Sequence, residues 1–286
     1  MADEFPIVRT RTSDTPHLPV VASIPHGGIA APPDVTEDVY IDPRFRPFRI
    51  GYADAYAEEI YGALHTHGAN VITTPYSRLF VDLNRPRDNF QVIDNEVISQ
   101  KGVFRTHTIF DDPVFARPLS EQRAKWLLTH LYDPYYARLE LLLDEAITEF
   151  GSALLLDCHT GSPRRLKEHQ IVLGTGRGRY CSLQTVEAAE AIVRTHGFEC
   201  TVDLSGYTGG AVVRQFGEKG TCREALQIEL NANLVMRCER REYSLIRYSG
   251  GTPPYDAEIL ARLQALMADI TKTLGGARTS PNFEPT

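Results

Sequence analysis

The chain has 286 residues, of which 42% are hydrophobic and 23% charged, a balance typical of a soluble globular protein with a sizeable core. Its net charge of −7 argues against nucleic acid and anionic membranes as partners, since both require basic surfaces. No apolar run reaches the length of a membrane span, and residues 1–10 lack the apolar region of a secretory signal. The five cysteines are never spaced as CxxC, which predicts free thiols in a reducing cytoplasm.

Short apolar runs alternate with longer helical patterns along the chain. The strand-like runs are, in order, LPVVASI, ANVITTPY, RLFVDLN, ALLLDCH, QIVLGT, CTVDLS and LQIEL. The helical patterns cover Ala53–Thr66, Leu119–Phe150, Leu183–His196 and Pro254–Leu274, and the pair Asp133–Pro134 is expected to kink or divide the second of them. This alternation predicts one α/β domain, residues 1–275, with a doubly wound, mostly parallel sheet flanked by helices. Residues 276–286 are predicted to form a flexible tail.

Three of the strand-like runs end in clusters of polar side chains, namely SIPHGG, RLFVDLNRP and LLLDCHTGS. Polar groups at the ends of buried strands are costly unless they have partners. In sheets of this class ligands bind at the carboxyl ends of the strands. The three clusters therefore predict one shared cavity.

Two of the nine histidines, His26 and His159, directly follow apolar strand-like runs and precede turns. Either one alone could be a structural histidine. Together with a carboxylate they match the three protein ligands of a hydrolytic zinc site, which leaves one position for water. Such a zinc lowers the pKa of the water to about 7 and polarises the substrate carbonyl. Asp54, at the start of a helical pattern, is the preferred third ligand, and Glu37 and Asp34 are the alternatives.

The segment RLFVDLNRP supplies candidate groups for binding a substrate carboxylate. Strand alternation would put Arg78, Asp82 and Asn84 on one side. Arg85 offers paired N–H donors in a planar fork, which suits a carboxylate. The alternative interpretation of Arg85 is a salt bridge to Asp82.

Aspartates beside the predicted ligands are candidates for orienting the imidazole rings. Asp157 stands two residues before His159, and ligating imidazoles need such partners. Asp82 is a second candidate of this kind. A hydrogen-bonded turn aspartate is the alternative for Asp157.

The C-terminal half adds two further candidate residues. The motif YTGGAVVRQFG contains a glycine pair and Arg214, which is typical of a loop over a pocket. Glu229 lies inside the apolar run Ala225–Leu230, and a buried glutamate suits general acid and base catalysis. A glutamate on the wet face of a half-buried strand is the alternative, and Glu224 is the next candidate base.

Six segments, taken in chain order, resemble the N-formylglutamate amidohydrolases, relatives of zinc carboxypeptidases and aspartoacylase-like hydrolases. They are SIPHGG, DAYAEEIYGAL, RLFVDLNRP, LLLDCHTGS, YTGGAVVRQFG and ALQIEL. The resemblance implies an eight-stranded mixed sheet and one Zn²⁺ per chain. It implies that His26 and His159 bind the zinc, that Asn84, Arg85 and Arg214 contact substrate, and that Glu229 is the candidate catalytic glutamate. The implied reaction is hydrolysis of N-formyl-L-glutamate to L-glutamate and formate, in histidine degradation.

Other functions stay open at this point. Another N-acyl amino acid could be the substrate, or the chain could be a metal-free binding protein of the same fold. The segment Gly174–Arg179, GTGRGR, could cradle a phosphate, although it matches neither common nucleotide-binding pattern. A serine hydrolase is disfavoured because the sequence has no G-x-S-x-G motif.

Overall fold

A computed structural model describes residues 5–11, 14–108 and 110–279. Its strands are β1 (Ile7–Arg9), β2 (Val20–Ile24), β3 (Asn70–Thr73), β4 (Gln91–Ile93), β5 (Glu96–Ile98), β6 (Ala153–Gly161), β7 (Ile171–Gly174), β8 (Cys200–Val202) and β9 (Arg223–Asn231). Its α-helices are α1 (Phe48–Gly51), α2 (Ala57–Tyr61), α3 (Glu121–Leu127), α4 (Asp133–Phe150), α5 (Pro163–Leu166), α6 (Leu183–Thr195), α7 (Ala211–Phe216), α8 (Arg240–Tyr248) and α9 (Ala257–Arg278). No helix within these ranges is long and apolar enough to span a membrane.

Seven of the strands form one sheet in the order β1-β3-β2-β6-β9-β7-β8. The pairs β1·β3 and β7·β9 are antiparallel, and the other neighbours are parallel. The predicted fold class, a mostly parallel mixed sheet between helices, is confirmed. In the described residues the sheet has seven strands rather than the eight that the resemblance implies, and β4 and β5 pair separately.

Alternation along the central strands divides the core into two layers. In β6, Leu154, Leu156 and Cys158 belong to the layer that contains residues of α2, α6 and α9. Ala153 and Leu155 belong to the other layer, with residues of α4 and α7. Because side chains alternate in a strand, Asp157 and His159 share the face of Ala153 and Leu155.

The long predicted helix is divided, as expected for its Asp133–Pro134 pair. A π-helical turn, Leu128–Tyr132, separates α3 from α4, which begins at Asp133. Proline tolerates the first turn of a helix because the N–H that it lacks has no intrahelical partner there.

The predicted strand over RLFVDLN is wrong, because residues 78–84 form buried turns. Phe80 N–H donates to the carbonyl of Ser77, and Arg85 N–H donates to the carbonyl of Asp82. The Asp82 carboxylate also accepts a hydrogen bond from the Asn84 N–H. These local bonds satisfy backbone groups that a strand would have paired with a neighbour.

The boundaries of two helical segments also differ from the prediction. The helix predicted from Ala53 begins at Ala57 and continues as a 3-10 helix over Gly62–His67. The predicted tail begins too early, since α9 continues to Arg278, which is buried. Residues 280–286 lie outside the described part of the chain.

Candidate active site

The histidines His26 and His159 meet Asp54 at one edge of the sheet. His26 lies two residues beyond β2, and His159 lies near the carboxyl end of the neighbouring parallel strand β6. Asp54 precedes α2, and its N–H donates to the carbonyl of His26 at 2.9 Å. One ligand atom from each residue lies within 4.8 Å of the others. The structure therefore brings together the three residues predicted to bind zinc.

Each histidine contacts a different aspartate through each of its ring nitrogens. Nδ1 of His159 lies 2.9 Å from Asp54 Oδ2, and Nδ1 of His26 lies 3.7 Å from the same oxygen. The Nε2 atoms face the aspartates predicted to orient the rings, at 2.7 Å for His26–Asp82 and 3.1 Å for His159–Asp157. Histidines that bind metals commonly donate their other N–H to a carboxylate in this way.

The donor set fits a divalent metal such as Zn²⁺. Two imidazole nitrogens and one carboxylate oxygen, all from buried or nearly buried side chains, are the ligands that catalytic zinc takes. Nδ1 of His26 lies 3.0 Å from Arg78 Nη1, which can only donate, so this ring nitrogen offers a lone pair. His26, Asp54 and His159 would hold the ion.

The charges in the cluster shift the pKa values of two of its members. Burial would raise the pKa of Asp54, but hydrogen bonds to His159 and His26 outweigh it and lower the pKa. Burial would lower the pKa of His159, but Asp157 and Glu229 raise it well above its usual value. Without a metal, these carboxylates therefore favour a cationic imidazole at His159.

The two alternative third ligands form salt bridges away from the histidine cluster. Glu37 pairs with Arg49 at 3.1 Å, and Asp34 pairs with Arg123 at 2.8 Å. Neither belongs to the histidine cluster.

Asp82 is a buried carboxylate on which several cations converge. Arg78 and Arg105 each bind its Oδ2 at 2.8 Å, and His26 binds its Oδ1. Burial would raise the pKa of Asp82, but Arg78 and His26 hold it well below its usual value. Strand alternation was the wrong reason for grouping Arg78 with Asp82, since a turn brings them together at a spacing of four residues.

Asn84 connects this turn to the second histidine. Its Nδ2 donates to Asp157 Oδ2 at 3.1 Å and lies 2.9 Å from His159 Nε2. Its Oδ1 accepts from the N–H of Val212 in α7 at 3.0 Å. Asn84 therefore fixes α7 beside the cluster as well as being a candidate for contact with substrate.

Arg85 is the most open of the arginines around Asp82. Its Nε lies 4.0 Å from Asp82, and its other bonds go to the carbonyls of Lys101 and Asn84. The side chain is 30% exposed. A salt bridge to Asp82 thus uses few of the N–H donors of Arg85, and its guanidinium group remains accessible to a ligand.

Glu229 lies next to His159 on the neighbouring strand. The two residues are paired in the register of β6 and β9, and Glu229 is only 7% exposed. Gln227 Nε2 donates to Glu229 Oε1 at 2.6 Å. Burial raises the pKa of Glu229 to about 7, against the opposing charge of His159. The interpretation of Glu229 as a residue on a wet strand face is wrong.

Glu224, the alternative base, points away from this cluster. It lies on the opposite face of β9 by alternation. It pairs there with Arg278 and accepts hydrogen bonds from Ser182 N–H at 2.8 Å and the Thr185 hydroxyl at 2.7 Å.

Sequence analysis did not single out Arg105, Tyr207 or Arg165, and of these three Arg105 contacts the cluster directly. Arg105 is buried against Asp82. Burial raises the pKa of Tyr207 to about 12, and the charges of Glu229, Arg165 and Asp54 also act on its hydroxyl. Arg105 gave no signal in the sequence, whereas Arg165 follows the LLLDCHTGS segment and Tyr207 opens the glycine motif.

The segment GTGRGR does not present a free phosphate cradle. The Asp203 carboxylate accepts from the N–H groups of Thr175 at 2.8 Å and Arg177 at 3.0 Å, and from the Thr175 hydroxyl. An internal carboxylate thus occupies the backbone donors that would bind a phosphate.

Arg214 lies on α7, where its Nε donates to the carbonyl of Gly210 at 3.1 Å. It lines a separate pocket with Arg177 and Arg179.

Comparison with known proteins places this site in a family. The model of the family described as N-formylglutamate amidohydrolase matches residues 18–236. The chain belongs to the N-formylglutamate amidohydrolase family. The match includes every candidate residue of the cluster.

Similar proteins and structures agree with this assignment. The N-formylglutamate deformylase of Pseudomonas putida is 25% identical over 77% of this chain and 82% of its own. The N-formylglutamate deformylase of Pseudomonas aeruginosa is 27% identical over 74% of this chain and 80% of its own. The crystal structure of an N-formylglutamate amidohydrolase from Ralstonia eutropha JMP134 superposes with a TM-score of 0.78, at 21% identity over 94% of this chain and 98% of that one. This last likeness shows the fold.

Proposed function

We propose that the chain hydrolyses the amide bond of N-formyl-L-glutamate, giving L-glutamate and formate, with one Zn²⁺ per chain. The observation that carries the proposal is the His26–Asp54–His159 cluster with Glu229 beside it, in a chain of this family. The two deformylase relatives support the choice of substrate. A reaction of this kind on a small metabolite is consistent with a cytoplasmic enzyme.

A Zn²⁺ ion held by the cluster would polarise the formyl carbonyl and make water a better nucleophile at neutral pH. Glu229 takes one proton from the attacking water as the new bond to the carbonyl carbon forms. It then gives that proton to the amide nitrogen as the carbon–nitrogen bond breaks, which releases formate and the amine of glutamate. In the metal-free protein burial raises the pKa of Glu229 to about 7, and a bound cation would favour the charged carboxylate that the first transfer requires.

The substrate carboxylate is assigned to the turn that holds Asp82. Arg85 supplies a partly exposed planar fork, and Asn84 supplies an amide already fixed between Asp157 and α7. Arg78 contributes positive charge at the same place while binding Asp82 and His26. Asp82 and Asp157 hold the two imidazole rings in orientation.

Release of L-glutamate by the purified protein tests the proposal. N-formyl-, N-acetyl- and N-succinyl-L-glutamate are compared, first as purified, then after chelation, and then with Zn²⁺ restored. We expect N-formyl-L-glutamate to be the preferred substrate, with activity lost on chelation and recovered with zinc. Preference for another acyl group would reassign the substrate, and protein with intact ligands that binds no metal would favour a binding protein.

A further inference from the structure

The side chain of Gln227 is a buried amide inside an apolar strand. It lies on β9, with only 4% of the residue exposed, two positions before Glu229. Because side chains alternate in a strand, the two residues share the face of Ala225. In the register of β6 and β9, Gln227 pairs with Asp157 and Glu229 pairs with His159. The amide therefore lies on the face of the sheet that carries the histidine cluster.

One hydrogen bond joins this amide to the described part of the chain. Its Nε2 donates to Oε1 of Glu229 at 2.6 Å, and its own Oε1 is buried without a partner among the described residues. A buried carbonyl without a hydrogen bond costs stability, so an apolar side chain of the same length would suit the core better. What the amide of Gln227 supplies instead is a donor for the glutamate.

The neighbours of Gln227 leave its side chain little freedom. Gly174 of β7 pairs with it in register, and a Cβ on Gly174 would lie 3.1 Å from the Cβ of Gln227 and 2.8 Å from the carbonyl oxygen of Tyr207. On the other side lies Asp157, which itself accepts a hydrogen bond from Asn84. A donor enclosed in this way can fix the direction of the carboxylate that it binds.

The two oxygens of the Glu229 carboxylate are in different surroundings. Oε1 faces the N–H of Gln227, the one donor that bonds to this carboxylate within the described ranges. Oε2 accepts no hydrogen bond from those residues, and a Cβ on Gly161 would lie 3.1 Å from it. Gly161 follows His159 by two residues on the same face of β6. Oε2 is therefore the oxygen left free to exchange a proton, at the end of β6 that carries His159.

The chemistry of the amide decides which oxygen can hold that proton. An amide nitrogen donates and does not accept, so a proton on the oxygen that faces it would meet an N–H. A proton taken from water must then reside on Oε2 while the hydrogen bond from Gln227 holds. Oε1 keeps the same partner in both protonation states of Glu229.

We propose that Gln227 is a positioning residue, which holds Oε1 of Glu229 so that Oε2 takes the proton from water and returns it to the amide nitrogen of the substrate. This inference rests on the proposed function, in which Glu229 makes both transfers. The Gln227 side chain makes no hydrogen bond to the three predicted metal ligands, so it acts through Glu229 alone.

The test compares the kinetics and the metal content of the wild type with those of two variants. Gln227→Met keeps the length of the side chain and removes the amide, whereas Gln227→Asn keeps an amide that is one methylene shorter and should not reach Oε1. In both variants we expect kcat for N-formyl-L-glutamate to fall about tenfold or more, with KM changed less than about twofold and one equivalent of zinc retained. Gln264→Met makes the same replacement at an exposed glutamine of α9 and should change none of these values.

A double-mutant cycle separates positioning from a structural role. In Glu229→Gln the carboxylate is already absent, so adding Gln227→Met should change kcat less than about twofold. An equal loss with and without the Glu229 carboxylate would show that Gln227 acts on another group, and would overturn the proposal. Wild-type kcat in both single variants, or loss of zinc from them, would overturn it as well.

An infrared measurement decides the inference if the proposed function fails. Wild type that releases no L-glutamate from N-formyl-L-glutamate would show that the reaction is wrong, whereas the hydrogen bond can still be observed. Chelator-treated protein is measured in mildly acidic solution, where the raised pKa of Glu229 keeps its carboxyl protonated. Each spectrum is compared with that of the same protein carrying Glu229→Gln, which isolates the carbonyl stretch of this carboxyl.

A proton on Oε2 leaves Oε1 as the carbonyl oxygen that accepts from Gln227. Gln227→Met should then move the carbonyl stretch to higher wavenumber, because the hydrogen bond is lost, and Gln264→Met should leave it in place. A carbonyl stretch that is the same in Gln227→Met and in the wild type would overturn the assignment of the two oxygens.

Discussion

Asp82 shows how far one residue can organise a site. Its two oxygens bind His26, Arg78 and Arg105 at 2.7–2.8 Å without exposure to solvent. The same carboxylate therefore orients a predicted metal ligand and holds cations at the place where substrate is expected. Removing it would leave buried charges without a partner, which costs more than the loss of one bond.

The predicted ligands can be tested by metal content. His26→Ala and His159→Ala should each abolish stoichiometric zinc, because two of three protein ligands cannot retain it tightly. Asp54→Ala should behave in the same way. His169→Ala is the control, since this histidine bonds to Thr201 outside the cluster. Metal analysis of the purified variants is the measurement, and a full equivalent retained in both cluster histidine variants would place the site elsewhere.

Glu229 and Glu224 offer a matched pair of buried glutamates on opposite faces of one strand. Glu229→Gln keeps the shape but removes the base, so kcat should fall by about 10² to 10⁴ with zinc retained. Glu224→Gln should lose stability and leave kcat within about threefold, because its partners lie on α6 and α9. A Glu229→Gln protein with most of its kcat would remove Glu229 from the mechanism.

Among the elements, those with regular apolar patterns were predictable from sequence and those made by turns were not. The strands that end in SIPHGG and LLLDCHTGS are present as β2 and β6, and adjacency in a parallel sheet brings their histidines together. The segment RLFVDLN is as apolar as a strand, but several of its backbone groups bond within turns around Asp82. The hydrophobicity of a segment predicts that it is buried. It does not show whether its backbone N–H and C=O groups bond to a neighbouring strand or within a turn, which is what distinguishes the two structures.

Long-range partners were equally invisible in the sequence. Arg105 reaches Asp82 across 23 positions, and Glu224 meets Arg278 across 54. Neither spacing follows a helical or strand period, so no local pattern could have predicted these pairs.

The pair of Glu224 and Arg278 joins β9 to the end of α9, and breaking it should be strongly destabilising. Glu224→Gln removes the carboxylate charge that faces a buried arginine, and we expect the unfolding free energy to fall by about 3 to 5 kcal/mol. The double variant Glu224→Gln/Arg278→Met should recover a large part of this loss. Urea unfolding measures both, and a single-variant loss below about 1 kcal/mol would show that the pair contributes little.

At the scale of the whole molecule, net charge is a poor guide to local potential. The chain is acidic overall, yet Arg78, Arg85 and Arg105 meet at the cluster, and three further arginines line a separate pocket. The negative charge is therefore spread over the rest of the surface. An anionic substrate is compatible with an acidic protein when the cations are grouped at its binding site.

Stability of the metal-free protein should depend on pH through Glu229. Its folded pKa of about 7 lies above the usual value, because burial disfavours the charged form. Between about pH 4.3 and 7 the folded state keeps a proton that the unfolded chain has released, so stability falls as pH rises through this range. We expect the unfolding free energy to fall by about 2 to 3 kcal/mol between pH 5 and 7.5.

Chelator-treated wild type and Glu229→Gln, unfolded in urea across this pH range, provide the measurement. The variant has no carboxyl at this position and should show a shallower decline. His159 carries a raised pKa, partly because of Glu229, and contributes a decline of the same sign, so the difference between the two proteins reports on Glu229 together with its effect on His159. Parallel curves for the two proteins would mean that Glu229 titrates normally.

The Asp203 carboxylate determines whether the segment GTGRGR can bind an external anion. Its carboxylate accepts hydrogen bonds from three donors of Thr175 and Arg177 in the glycine-rich segment GTGRGR. The loop is thus pre-shaped for an oxyanion that the chain itself provides. Replacement of this one side chain by a smaller neutral residue would leave those three donors without their acceptor and open to an external oxyanion.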